Sequence, residues 1–149
     1  MRKNSAFLLV VLFFVGCETK IPTYEDVKVQ ISIDKEKDRK LAKRFVEYWH
    51  ARITGDMKKS FEYELPYQRY VDGYKGYTSK VSPLNNNTRM VLQKIDYEHP
   101  NVAVLERRVF LNDRNWTKYD KWIFVEGKWY HKYYQNILPP MDDEEARFQ

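Results

Sequence analysis

The spacing of apolar positions divides the chain into a helical part followed by a sheet part. Between residues 27 and 33, valine and isoleucine alternate with polar residues, a period of two that predicts a half-buried strand. From about residue 35 to residue 53 the apolar positions recur every four residues, which predicts a long amphipathic helix. Its apolar stripe consists of Leu41, Phe45, Trp49 and Ile53.

The ends of the helices are predicted from capping residues. Asp34 is expected to cap the long helix and Gly55 to end it, because glycine readily adopts the left-handed conformation found there. Asp56 is expected to cap a second, short helix that carries Met57, Phe61 and Leu65 and stops at Pro66. Residues 67–77 are predicted to form a third short helix or a loop.

The second half of the chain predicts an antiparallel meander. Four strand-like segments follow one another, separated by breaks that are short enough to force antiparallel neighbours. They cover approximately residues 88–98, 102–111, 116–125 and 128–134. The predicted fold class is therefore α+β, with a long N-terminal helix and shorter helices packed on a curved antiparallel sheet.

The N-terminus has the pattern of a secretory leader. Two basic residues precede an apolar run over residues 6–15, which is too short to span a bilayer as a helix. Phe14-Val15-Gly16-Cys17 resembles the lipobox of bacterial lipoproteins, in which the cysteine is lipidated and becomes the mature N-terminus. The resemblance implies a diacylglyceryl group and an N-acyl chain on Cys17. The alternative is an unmodified cysteine within an uncleaved N-terminal anchor.

These patterns predict the organisation and address of the protein. We expect a signal peptide over 1–16, a tether over 17–26, a single domain over 27–138 and an acidic tail over 139–149. The domain would face the periplasm or the cell surface. Glu18 stands where an Asp would resemble an inner-membrane retention signal, which favours the outer membrane over the inner one.

Composition and charge exclude several classes of function. The formal charge of the 149-residue chain is +5 and falls to +3 without Arg2 and Lys3, so nucleic acid is not an expected partner. The lone cysteine excludes an internal disulfide and a cysteine-based zinc site, and the three histidines are scattered. The sequence predicts neither a metal nor a cofactor.

Two motifs resemble the nuclear transport factor 2-like superfamily. Residues 49–56, with Trp49 and the pair Gly55-Asp56, are similar to the end of that family's first long helix, and residues 122–129 are similar to its last hairpin. The resemblance covers roughly residues 35–135 and implies a cone-shaped α+β fold. Members of this superfamily include isomerases and dehydratases as well as modules without chemistry, so the resemblance does not select a function.

Two sets of residues are candidates for a site. Asp96 and His131 lie on predicted strands, where either could act as a general base inside the cone. The alternative is that both are ordinary strand residues. A tyrosine-rich cluster could line a ligand mouth, because phenol rings combine apolar area with a hydrogen-bonding tip. This cluster consists of Tyr63, Tyr67, Arg69, Tyr70 and Tyr74.

Three functions follow as hypotheses. The first is a membrane-tethered extracytoplasmic lipoprotein whose non-catalytic domain binds a small ligand or an envelope protein. The second is a small cone-pocket enzyme of isomerase or dehydratase type. The third is a periplasmic subunit of a secretion or envelope assembly. A deep pocket that holds a buried carboxylate or histidine would favour the enzyme, and a cone filled by aromatic side chains would favour the binding module.

Overall fold

The computed structural model describes residues 20–133. The predicted lipidation site Cys17, the signal peptide and the acidic tail lie outside these residues. A short 3₁₀ turn precedes the first strand, and three helices and five strands follow in the order β1, α1, α2, α3, β2, β3, β4, β5. Their bounds are Val27–Val29 (β1), Glu36–Thr54 (α1), Met57–Glu62 (α2), Pro66–Lys80 (α3), Arg89–His99 (β2), Val102–Leu111 (β3), Arg114–Val125 (β4) and Lys128–His131 (β5).

The strands form one curled sheet in the order in which they occur in the chain. Neighbouring strands from β2 to β5 are antiparallel, as predicted, and β1 joins the edge beside β2 in a parallel pair. Register shifts in β2, after Leu92 and after Tyr97, mark bulges that bend this strand. The result is an antiparallel-rich half-barrel with three helices, which confirms the α+β class and is compatible with a cone.

Helix α1 supplies one side of the hydrophobic core. Its predicted stripe is buried throughout, and it forms one cluster with inward-facing residues of the sheet such as Leu92, Leu105 and Trp122. The buried members of this cluster all lie between residues 27 and 129. A chain that begins after Cys17 therefore retains every core residue that the structure describes.

Helix boundaries show which capping predictions were correct. Gly55 ends α1 with a positive φ of 79°, and the Asp56 side chain accepts a hydrogen bond from the Lys59 amide, both as predicted. Asp34 does not cap α1. Lys35 occupies the N-cap position without a side-chain bond, and the Asp34 carboxylate accepts from Ser32 instead.

Two further predictions need correction. Helix α2 ends at Glu62, so Leu65 is not part of it, and Pro66 begins α3 because proline fits the first turn of a helix. Residues 67–77 belong to α3, which is kinked at Gly73. The predicted strand 27–33 is only three residues long. The parallel ladder ends at Val29, whose partner Leu92 directly precedes a bulge in β2.

Within residues 20–133, no helix is long and apolar enough to cross a membrane.

Candidate functional site

A cavity of about 470 Å³ lies between the C-terminal half of α1, the segment that follows α3 and the concave face of the sheet. Helix α1 contributes Tyr48, Trp49 and Arg52, which share one face because Arg52 follows the other two by four and three residues. Strands β3 to β5 contribute charged and aromatic side chains from their inward-facing positions. They include Arg107, Lys118, Asp120 and His131.

Asp120 is the centre of the first polar cluster in this cavity. Its buried carboxylate accepts one hydrogen bond from the Trp49 indole at 2.9 Å and one from Arg107 Nε at 2.8 Å. The Arg107 guanidinium also lies 4.0 Å from the centre of the Trp49 ring. These contacts fix the arginine between α1 and the sheet, because a cation is attracted to both the carboxylate and the ring face.

Glu64 is the centre of the second polar cluster. Its side chain is 0% exposed and accepts hydrogen bonds from the Tyr48 hydroxyl at 2.8 Å and from the Tyr133 amide at 3.2 Å. The same carboxylate lies 2.9 Å from Nδ1 of His131. A parallel bridge between Glu64 and His131 holds the two residues together through main-chain bonds on either side.

The hydrogen-bond pattern sets which ring nitrogen of His131 faces Glu64. A carboxylate can only accept, so Nδ1 carries the hydrogen that faces Glu64, and Nε2 is an acceptor whenever the ring is neutral. No other residue within 20–133 forms a hydrogen bond with Nε2. The ring stacks on Tyr48 at 4.2 Å and lines the cavity. Burial raises the pKa of Tyr48, and the Glu64 charge raises it further, so this phenol stays neutral.

Positive charge predominates around the cavity. Among the described residues that line it, four are cationic and one is acidic; the cations are Arg52, Lys80, Arg107 and Lys118. Lys80 pairs with Asp72 and Arg107 pairs with Asp120. Among residues 20–133, Arg52 donates only to neutral oxygens, those of the Tyr48 hydroxyl and the Ser82 carbonyl, and its buried Nε has no partner there.

The sequence-based site candidates lie in three different surroundings. His131 is buried on the cavity wall, on the same side of β5 as Trp129. Asp96 is partly exposed on β2, forms an ion pair with Lys94 at 3.1 Å and does not line this cavity. The structure therefore does not bring Asp96 and His131 together.

The five residues of the predicted ligand mouth do not line this cavity either. Tyr67 and Tyr70 are exposed on α3, the latter at 88%, and Tyr74 packs its edge against Phe61. The other two, Tyr63 and Arg69, lie elsewhere: Tyr63 donates to Glu47, and Arg69 lies 5.9 Å from the Tyr130 ring. The ligand mouth formed by these five residues therefore stays a prediction.

Several site residues were missed by sequence reasoning. Arg107, Lys118 and Asp120 occupy inward-facing strand positions, which are usually apolar. A charged residue at such a position is the feature of the sequence that could have identified them as site residues. Glu64 had no such signal, because it lies between two helices and meets β5 only through the fold. Arg52, in the last turn of α1, likewise bonds to a residue that is distant in sequence, Ser82, as well as to Tyr48 one turn before it.

In the described part of the chain, no group of three or more His, Cys, Asp and Glu side chains could hold a metal ion. Comparison with protein-family models, with curated proteins and with solved structures finds no match.

Proposed function

We propose that this chain is a lipid-anchored envelope protein whose domain binds a small organic anion in the cavity between α1 and the sheet. The anchor is the acylated Cys17 expected from the leader, and the outer membrane is the favoured location. The domain is proposed to be a non-catalytic member of the nuclear transport factor 2-like superfamily. The order of its elements and the concave sheet covered by α1 support this assignment.

The observation that carries the binding proposal is the position of Arg107 and Lys118. They are directly opposite each other on β3 and β4, and both line the cavity. Like charges at opposite positions of neighbouring strands destabilise a sheet. Within residues 20–133 no carboxylate forms an ion pair with Lys118 or with Arg52. A bound anion would neutralise this excess positive charge.

The walls of the cavity favour an organic ligand over a bare inorganic ion. Tyr48, Trp49 and His131 present ring surfaces, and Val81 and Leu84 add aliphatic area. Ligand pockets typically have volumes of roughly 300–1,000 Å³ and combine apolar walls with a few polar groups that orient the ligand. The cavity fits this description, with the cations placed to orient a carboxylate or a phosphate group.

The binding proposal is tested by titrating the protein with citrate, phosphate and benzoate, and with benzamide as the neutral isostere of benzoate. We expect at least one anion to bind, and benzamide to bind no more tightly than benzoate. Arg107→Gln should weaken anion binding about tenfold or more, because hydrogen bonds to charged groups contribute roughly 1.5–3 kcal/mol. Arg108→Gln is the matched control, since Arg108 is exposed and bonds Asn115 instead. Equal effects of the two substitutions would contradict the proposal.

The anchor is tested separately in the native host. Mass spectrometry of the mature N-terminus should find a diacylated or triacylated Cys17 and no residue before it. Cys17→Ser should leave the leader uncleaved and unmodified. A mature protein that retains Met1 and an unmodified Cys17 would refute the lipoprotein assignment without affecting the binding test.

The Glu64–His131 pair supports a second candidate function, an enzyme of isomerase or dehydratase type. A carboxylate that fixes one ring nitrogen leaves the other as a proton acceptor, and here Nε2 is that nitrogen. In this alternative His131 would remove a proton from a carbon next to the anionic group of the substrate. His131→Gln would then abolish turnover while leaving anion affinity within a few-fold of the wild-type value.

A further inference from the structure

The end of the sheet where the chain enters the domain combines cations with exposed apolar side chains. Lys20 packs there through an ion pair to the buried Asp26 at 2.5 Å, and its carbonyl accepts from Asn86 at 3.3 Å. A second cavity, of about 220 Å³, is lined by Lys20 together with the start of β2 and the end of β3. The first described residue is therefore held beside this end of the sheet by the turn that contains Asp26 and by the loop before β2.

Covalent geometry then limits how far this end can be from the predicted anchor. Only three peptide units join Cys17 to Lys20, and an extended chain spans at most roughly 3.6 Å per residue, or about 11 Å in total. Lipids attached to Cys17 would hold this end of the domain against the bilayer. The residues placed there must accordingly be compatible with a lipid headgroup region.

The residues at this end have that chemistry. We define the anchor-side surface as Lys20, Ile21, Arg89, Phe110, Arg114 and Trp116. Ile21 is 82% exposed and Trp116 is 37% exposed. The Arg89 guanidinium lies 5.5 Å from the Phe110 ring, and Arg114 begins β4 immediately after the turn at Asn112.

The anchor-side surface as defined contains three cations and no acid. Three acids lie near it in the chain, Glu25, Asp26 and Asp113, and Asp26 is buried and paired with Lys20. Within the described residues, neither Arg89 nor Arg114 forms an ion pair. Tryptophan and cations of this kind occur together at membrane interfaces, where the ring lies among the headgroups and the cations face phosphates.

We propose that the anchor-side surface lies directly on an anionic phospholipid bilayer, with Trp116 and Ile21 in the headgroup layer and with Arg89 and Arg114 on lipid phosphates. This inference rests on the proposed anchor at Cys17 for its biological setting. The surface itself should bind vesicles without the lipid, because its cations and apolar side chains are part of the folded domain.

The experiment uses residues 18–149, which contain the whole described core and lack the lipid. Vesicles of phosphatidylcholine with and without phosphatidylglycerol are titrated into the protein. We expect partitioning that depends on phosphatidylglycerol and that weakens with salt. Arg89→Glu with Arg114→Glu should lower the partition coefficient by roughly thirtyfold or more, since each cation near an anionic surface contributes about fivefold.

A matched control has the same change in net charge at the opposite end of the sheet. Lys43 and Lys128 line a groove between α1 and the β4–β5 turn. Lys43→Glu with Lys128→Glu should leave the partition coefficient within about twofold of the wild-type value. An equal loss of vesicle binding in the two double variants would overturn the proposal, because binding would then depend on net charge and not on the position of the cations. Absence of binding to phosphatidylglycerol vesicles would overturn it as well.

Tryptophan fluorescence gives an independent readout. Trp49, Trp122 and Trp129 are buried, so Trp116 is the exposed indole of the four. Its emission should shift to the blue on phosphatidylglycerol vesicles, and Trp116→Phe should remove the shift. An unchanged spectrum in the wild type would overturn the proposal even if the arginine variants failed to fold. The state of Cys17 is read by mass spectrometry, so failure of the anchor and failure of this surface are distinguishable.

Discussion

The two halves of α1 pack on the same concave sheet but differ in their polar contacts. Leu41 and Phe45, in the first half, are fully buried in the apolar cluster. Tyr48 and Trp49, only one turn further along, are equally buried but donate hydrogen bonds to Glu64 and Asp120. Burial alone therefore does not distinguish a closed core from a polar cavity.

The difference originates in the sheet rather than in the helix. Along the inward face of β3, the apolar Leu105 is followed two residues later by Arg107, and Asp120 on β4 is the register partner of Leu105. A buried charge is tolerated when it is paired and hydrogen-bonded, and both charges meet this condition. The apolar half should thus contribute to stability alone, and the polar half to both stability and binding.

The largest expected effect on stability is that of Phe45→Ala, which tests the apolar half of α1. Removing a fully buried phenylalanine typically costs about 3–5 kcal/mol of unfolding free energy, because it removes apolar burial and leaves a cavity. Urea denaturation measures the loss, and calorimetric titration of the folded variant should find anion affinity unchanged. Val46→Ala, at a partly buried position of the same helix, is the milder control. A loss below 1 kcal/mol for Phe45→Ala would contradict this assignment.

Glu64→Gln should have the next largest effect on the free energy of unfolding, and it tests the polar half of α1. The substitution preserves volume, but an amide cannot accept from Tyr48, Tyr133 and His131 as a carboxylate does. Leaving buried polar groups without partners costs about 1–3 kcal/mol. Chemical denaturation at neutral pH should show this loss, whereas Glu62→Gln, on the exposed side of α2, should change stability little. Equal values for the two variants would show that the Glu64 cluster is not structural.

Asp120→Asn should separate stability from binding, because the two change in opposite directions. Stability should fall by about 1–2 kcal/mol, since Arg107 and Trp49 lose a charged acceptor. Anion affinity should rise several-fold, because the carboxylate that competes for Arg107 is gone. Asp96→Asn, on the same sheet but outside the cavity, should change neither quantity. Weaker anion binding in Asp120→Asn would refute the proposed role of Arg107.

The smallest of the expected effects is a loss of stability of the folded protein at alkaline pH. Burial, reinforced by the Glu64 charge, raises the pKa of Tyr48 in the folded protein above its usual value near 10. Folding therefore favours the neutral phenol, so this contribution is complete below about pH 10 and is lost as the pH rises further. Tyr48→Phe should flatten the dependence of unfolding free energy on pH between about pH 9 and pH 11. An identical dependence in the variant would contradict this cause.

The sequence was sufficient for the elements whose signal is local. The four-residue stripe of α1, the glycine that ends it and the short breaks of the meander each depend on neighbouring residues only, and each was confirmed. The strand at 27–33 was predicted too long, because its partner is distant in sequence. Only the structure shows that the ladder with β2 ends at Val29, beside the bulge that follows Leu92.

The candidate site depended on register, and for this reason most of it was not predicted. His131 was recognised from its strand, but its partner Glu64 is 67 residues away and approaches through a bridge between a loop and β5. The pairing of Arg107 with Lys118 likewise requires the β3–β4 register. Neither relation leaves a periodic pattern in the chain.

The central claim, that the cavity beside Arg107 holds an organic anion, is tested most directly by nuclear magnetic resonance of the tryptophan indoles. The Trp49 N–H donates to the same carboxylate oxygen as Arg107, so its resonance reports on this site. On titration with the best-binding anion among citrate, phosphate and benzoate, we expect a saturable shift of the Trp49 indole and none of Trp116. A Trp49 signal that does not move, or that moves no more than Trp116, would contradict the claim.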